Sequence, residues 1–279
     1  MNLIELNDGN KIQPITFGTI SLKGRSGALA IESALNEGYR HIDTSTNYDN
    51  EGTVGEAIRR TSVARSEIFV TSKLPGAYHN YDDAIKIIQE QLYRTGLDYF
   101  DGYLIHWPLP KQKQYVEAWQ ALIDAQKFGL VRSIGVSNFM PDHLDKVIKE
   151  TGVVPAINQS EIHPFFNNKK VIEADRKHGI VSQAWSPLGR SQMDLLKEDT
   201  LVPIAEKHNK TISQVILRWN IQNGVVPVVR SGQPTHQREN LDVFDFELTP
   251  KDIETINGLD EGEDGRNEGQ NPYTYEEFV

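Results

Sequence analysis

Residues 115–138 read YVEAWQALIDAQKFGLVRSIGVSN. Tyr115–Phe128 carries apolar side chains at helical spacing over about three turns. Gly129 then suits a left-handed helix end, and RSIGVSN (132–138) is a short β-rich run that finishes on polar residues.

The same order of signals recurs outward in both directions. Amphipathic stretches at Asp82–Thr95, Pro141–Thr151 and Thr211–Asn223 lead into Gly96, Gly152 and Gly224, and Gly38 and Gly179 punctuate the chain in the same way. Beta-rich runs follow them: RHIDTS (40–45), FDGYLIH (100–106), AINQSE (156–161), IVSQAWS (180–186) and VVPVVR (225–230). With ITFGT (15–19), IFVTSK (68–73) and the run quoted first, the strand count is eight. Alternating strands and helices imply a parallel sheet, and eight such units in ~250 residues is the size of an α/β protein of the (β/α)8 TIM-barrel class. A doubly wound open sheet competes, but the first strand–helix turn, Gly18 to Gly24, lacks the glycine spacing that admits a dinucleotide pyrophosphate. Leu3–Ile12 has an Asp8-Gly9 turn between short alternating runs, so it is expected to be an N-terminal hairpin capping the barrel's bottom. No Pro/Gly/Ser-rich linker interrupts the chain. The expectation is one barrel domain over 1–279, with 260–279 a C-terminal tail near the mouth.

Composition narrows the function. Lys+Arg number 29 against Asp+Glu 39, for a net charge of -10, which disfavours nucleic acid as the main partner. With no cysteine there is no disulfide scaffold, thiol nucleophile or cysteine-ligated metal, so any redox chemistry must come from a cofactor. Met1–Asp8 has no basic or apolar leader character and no stretch reaches ~18 apolar residues, so a soluble, cytoplasmic chain with no membrane partner is expected.

Most of these strands end in a polar or ionisable group: Asp43, Lys73, His106, Asn138, Glu161 with Gln159 beside it, Ser186 and Arg230. Any one of them can be a turn residue or a helix N-cap. In a barrel, however, the C-terminal ends of the strands share one mouth. Asp43, Lys73 and His106 close three successive strands, and Tyr48 follows Asp43 in the same loop. A phenol has a reference pKa of about 10, and an ammonium ~4 Å away favours the phenolate by up to ~4 kcal/mol. Asp43 can hold the Lys73 ammonium, and His106 can donate from one ring nitrogen to a carbonyl oxygen. That set protonates a carbonyl; the bland alternatives are a structural Asp–Lys pair and a packed His106-Trp107-Pro108 strand end. His41, His79, His143, His163, His178, His208 and His236 show no close i, i+4 pair with a carboxylate ligand, so no metal is expected.

The runs HIDTSTNYDNEGTVGEAI (41–58), FVTSK (69–73), LIHWP (104–108), IGVSNF (134–139), INQSEIHP (157–164), AWSPLG (184–189) and VVPVVRS (225–231), followed by EN (239–240), resemble the aldo-keto reductases. They look most like the bacterial branch of diketogluconate, glyoxal and related aldehyde reductases. The resemblance implies a (β/α)8 barrel that reduces aldehydes and ketones with NADPH. It places the catalytic tetrad on Asp43, Tyr48, Lys73 and His106, the residues chosen above on chemical grounds, with Tyr48 as the acid. It places the nicotinamide carboxamide on Ser137, Asn138 and Gln159, and the ring that stacks under the nicotinamide, usually Tyr, on Trp185. Ser186, Leu188 and Gly189 match the pyrophosphate loop, and Arg230, Ser231, His236, Glu239 and Asn240 match the segment that grips the 2′-phosphate and adenine. Two departures stand out there: the usual Lys is Arg230, and the Arg expected six residues on is His236, with Arg238 two places further. A weaker NADPH preference, with NADH usable, follows. Ile20 replaces a common Trp or Phe in the substrate wall, and Trp107 remains as a wall residue.

The leading reading is a monomeric carbonyl reductase acting on small aldehydes, α-dicarbonyls or keto sugars. A cofactor-binding sensor subunit is the runner-up, opposed by the complete tetrad. A phosphate-binding lyase or isomerase would leave Ser137, Asn138, Gln159 and Trp185 unexplained. The acidic tail Asp260–Val279, with Tyr273, Tyr275 and Phe278, reads equally as a solvated tail or as a substrate lid.

Overall fold

The computed structural model describes residues 2–190 and 193–277. A two-stranded antiparallel hairpin, β1 (Ile4–Glu5) and β2 (Lys11–Ile12), comes first. The barrel strands are β3 (Thr16–Gly18), β4 (His41–Asp43), β5 (Phe69–Leu74), β6 (Phe100–Ile105), β7 (Val131–Ser137), β8 (Ile157–Glu161), β9 (Val181–Trp185) and β10 (Val226–Val229). They close in the order β10-β3-β4-β5-β6-β7-β8-β9 with every neighbour parallel. This is the (β/α)8 barrel expected from the alternation.

Helices α1 (Gly24–Glu37), α2 (Glu51–Arg60), α3 (Tyr81–Thr95), α4 (Tyr115–Lys127), α5 (Pro141–Thr151), α6 (Lys169–His178), α7 (Val202–His208), α8 (Ile212–Gln222), α9 (Pro234–Leu241) and α10 (Pro250–Asn257) complete the regular structure of the described residues. All six punctuating glycines have positive φ, from 70° to 114°, as a helix end feeding straight into a strand requires. Asn80 caps α3 by accepting from the Asp82 N–H, and Thr211 and Gln214 cap α8 reciprocally. None of the helices is long and apolar enough to cross a membrane.

Two apolar layers hold the barrel. The helices bury side chains such as Ile31, Ile88, Trp119 and Leu144 against the strands. At the bottom, Leu6 and Ile12 of the hairpin region pack with Leu104, Ala156, Ile157 and Val226. Leu104, Ile157 and Val226 come from alternate strands, the layering by which such barrels fill their interior. Each buried Leu or Ile there stabilises by about 1.5–3 kcal/mol. The hairpin is fixed in place by Asn7 Nδ2, which donates to the Pro155 carbonyl at 2.9 Å, and by Asn10 Nδ2, which donates to Ser133 Oγ at 3.0 Å. It caps the bottom, leaving the opposite rim for polar groups.

Candidate active site

Three neighbouring strands deliver the charged centre. Asp43 ends β4, Lys73 lies near the end of β5, and His106 follows β6 directly. The Lys73 Nζ donates to Asp43 Oδ1 at 2.6 Å, to the Thr44 carbonyl at 3.0 Å and to the Tyr48 hydroxyl at 3.3 Å. All three ammonium protons are therefore committed. Asp43 Oδ2 accepts from Gln159 Nε2 at 2.9 Å, so the carboxylate is held from both sides. Tyr48 sits in a short turn, Thr46–Tyr48, that Asn50 steadies: its amide donates to the Thr19 and Leu22 carbonyls, and it accepts from the Thr44 hydroxyl. The His106 ring stands edge-on to Tyr48 with centroids 6.4 Å apart. The structure thus brings Asp43, Tyr48, Lys73 and His106 together.

Burial dominates the electrostatics here. It pushes the Tyr48 phenol up, and although the Lys73 ammonium pulls the other way, the net direction is upward. Burial pulls Lys73 down, but Asp43 and Tyr48 outweigh it and leave Lys73 above its ordinary value. The ammonium anticipated from the sequence as an acidifier offsets only part of the desolvation. Tyr48 keeps its proton, with a cation beside it.

Around the rim, Ser137 Oγ donates to the Gln159 carbonyl at 2.8 Å, and Trp185 Nε1 donates to Asn138 Oδ1 at 2.7 Å. Asn138 and Ser186 both adopt positive φ, 63° and 49°, immediately after or within a residue of their strands. Gly189 N donates to the Ser186 carbonyl at 2.9 Å, which curls the loop containing Leu188. Past β10, Arg230 is exposed and makes no ion pair among the described residues. Ser231 precedes α9, His236 is exposed on the first turn of that helix, and Arg238 is engaged with Glu37 at 2.6 Å. Glu239 accepts from the Thr211 hydroxyl at 2.7 Å, and Asn240 is buried. At the mouth, Ile20 is exposed and Trp107 is buried, its ring against that of Tyr275 at 4.1 Å.

The model of the aldo/keto reductase family matches residues 14–261. The chain belongs to the aldo/keto reductase family. It is 44% identical over 277 residues, 99% of its own length and 98% of the relative's, to 2,5-diketo-D-gluconic acid reductase B of Corynebacterium sp. (strain SHS752001). It resembles the structure of a Gox0644 variant in complex with NADPH, with TM-score 0.91 and 38% identity over 97% of each chain. It also resembles an aldo-keto reductase of Bombyx mori in complex with NADP, with TM-score 0.87 and 33% identity over 96% of this chain and 95% of that one. As a member of the family, the chain is an oxidoreductase.

Several neighbours of this reductase site were not anticipated from the sequence. Gln183 accepts from Gln159 at 3.0 Å, extending the chain of amides behind Asp43, and its own buried Nε2 has no partner among the described residues. The Arg190 guanidinium lies 5.4 Å from the centre of the Trp185 ring. Glu161, a polar strand end, accepts from His163 and from both the backbone and the side chain of Asn267, so it anchors the C-terminal segment. That segment continues over the mouth: the Tyr273 hydroxyl donates to Asp142 at 2.7 Å, Glu276 pairs with Lys111 at 3.1 Å, and Glu277 is buried against His106. Phe278 lies outside the described residues. His41, by contrast, is a core histidine between Thr16 and Thr71, at 3.0 and 2.8 Å, and burial draws it down to about 3.

Proposed function

We propose that this reductase converts aldehydes and ketones to alcohols with NADPH as hydride source, acting on small carbonyls, α-dicarbonyls or keto sugars. The observation that carries the proposal is the Tyr48 hydroxyl at the barrel mouth, 3.3 Å from a Lys73 ammonium whose remaining protons are taken by Asp43 and Thr44. When bound, NADPH supplies the hydride that reduces the carbonyl carbon. Tyr48 gives its proton to the carbonyl oxygen, and the phenolate left behind faces a cation fixed in place before the reaction begins. Asp43 and Gln159 keep that cation from moving. His106 donates to the same oxygen and sets its position over Tyr48.

The donor set fits the cofactor. Ser137, Asn138 and Gln159 offer the mixture of donors and acceptors a carboxamide needs, and the half-buried Trp185 offers a ring to stack on. Ser186, Leu188 and Gly189 form the loop for the pyrophosphate. Arg230, free of any counter-ion among the described residues, and Ser231 at the start of α9 suit a 2′-phosphate, and Glu239 and Asn240 suit the adenine edge. His236 adds no permanent charge, and Arg238 is tied to Glu37, so we assign a reduced preference for NADPH over NADH. The exposed Ile20 and the Trp107 ring form a wall less aromatic than usual, which favours aliphatic substrates, and the diketogluconic acid relative supports keto sugars as a class.

The test is absorbance at the nicotinamide band with methylglyoxal, a diketo sugar and a simple aromatic aldehyde. Consumption of NADPH, fastest with the first two, is expected. Tight NADPH binding with no turnover on any carbonyl contradicts the proposal.

A further inference from the structure

Glu277 is 2% exposed although it lies at the end of an acidic segment. Its Oε1 is 2.5 Å from His106 Nδ1 and accepts from Asn47 Nδ2 at 2.5 Å, while Oε2 accepts from the Gly76 N–H. Three loops, those that follow β4, β5 and β6, therefore converge on one carboxylate. An unprotonated Nδ1 would set a lone pair against a carboxylate oxygen at that separation. When Glu277 is anionic the ring must therefore carry a proton on Nδ1; the two groups approach as an ion pair in which Nδ1 is not aligned as a hydrogen-bond donor, and the carboxylate occupies one edge of the ring. Burial alone would raise the Glu277 carboxyl, but His106 and the Gly76 N–H bring it below its ordinary value, so it is anionic at neutral pH.

We propose that Glu277 is a positioning residue for carbonyl reduction: it fixes Nδ1–H of His106 toward itself, turns Nε2 to the substrate, and supplies the counter-charge for a doubly protonated ring. The last point follows from proton counting. With Nδ1–H given to Glu277, Nε2 donates to a carbonyl oxygen only when the ring carries both protons. A charged donor of that kind is roughly twice as strong as a neutral one, and it acts where negative charge develops. The inference rests on the reduction reading above, with Glu277 acting only through His106.

Other titratable groups face the pair. Tyr48 and Lys73 lie on the substrate side. His79, whose ring nitrogens are both buried without partners among the described residues, lies behind Glu277 and is drawn down to about 4 by burial, so it is neutral at working pH. Tyr275, raised by burial and by Glu277, is neutral as well. Glu277 is thus the one anion against the His106 ring among these neighbours.

The experiment compares the full chain with Glu277→Gln, Glu277→Asp and, as a control on the same segment, Glu276→Gln. Nitrogen-15 NMR of the histidine ring reads the protonation of Nδ1 and Nε2 whether or not a substrate is known. The expected result is a protonated Nδ1 in the unaltered chain and a proton shifted to Nε2 in Glu277→Gln. In turnover, Glu277→Gln should lower kcat about tenfold or more with an unchanged NADPH Kd. Glu277→Asp should recover part of the Nδ1 protonation and of kcat, and Glu276→Gln should change neither. Identical ring signals in Glu277→Gln would overturn the positioning role. Absence of turnover in the unaltered chain would instead count against the reduction reading, with the NMR result still deciding the dyad.

Discussion

The two ends of the barrel are built from the same strands and could hardly differ more. At the bottom, β6, β8 and β10 contribute Leu104, Ile157 and Val226, closed by Leu6 and Ile12 of the hairpin region. At the rim, β4 and β5 bury a carboxylate and an ammonium, Asp43 and Lys73, each with 3% or less of its side chain exposed. An apolar end needs only shape and volume to be stable. A charged end is stable only while every charge has its partner, because taking ions out of water costs several kcal/mol each. The rim therefore accepts a conditional stability in exchange for chemistry, and the bottom supplies the unconditional part.

The largest effect that would sharpen this contrast is Lys73→Met. It leaves Asp43 buried with Gln159 as its remaining partner, and a loss of about 3–5 kcal/mol in thermal or denaturant unfolding is expected. Adding Asp43→Asn should restore much of the Tm and none of the turnover; restored turnover would break the distinction. Ile12→Ala at the other end should cost about 2–4 kcal/mol and leave kcat/KM unchanged. A large kcat loss from that change would mean the two ends are coupled.

A buried carboxylate away from the rim offers a third comparison. Asp175 of α6 accepts from Asn158 and Ser182 and pairs with no cation among the described residues, and burial pushes it up to about 7 from an ordinary 3.8. A carboxyl raised on folding favours the folded state below its ordinary value and loses that advantage as pH rises through its folded value. Asp175→Asn should therefore gain Tm relative to the unaltered chain between pH 5 and pH 8, while a constant difference contradicts the assignment. The smallest effect is expected of His236→Arg, which should raise the kcat/KM ratio for NADPH over NADH by about a few-fold to tenfold. No change in that ratio would show that Arg230 and Ser231 carry the discrimination alone.

The barrel was legible because its signals are local: a helix-period stretch, a glycine of positive φ, and a short β run. The strand edges shifted by a residue or two, as in FDGYLIH, where His106 leaves the strand to face the mouth, and VVPVVR, trimmed to Val226–Val229. Helices α6 and α9 carry too little apolar surface to announce themselves, with Val171 and Asp175 the buried residues of one and Gln237 and Asn240 those of the other. Asp43, Lys73 and His106 could be read as a group because successive strands end side by side. Glu277 could not, since nothing in an acidic C-terminal run distinguishes the residue that folds back onto His106 from its exposed neighbour Glu276. The net upward direction for Tyr48 was also hidden, because burial, which outweighs the Lys73 charge, is a property of the assembled rim.

On the proposed reading, the buried rim lets Tyr48 deliver one proton to the carbonyl oxygen. The most direct test is Tyr48→Phe, followed by NADPH fluorescence titration and by turnover with the best carbonyl found for the unaltered chain. An NADPH Kd within about twofold of the original and a kcat lower by about 10²–10⁴ are expected. Unchanged turnover in Tyr48→Phe would contradict that reading.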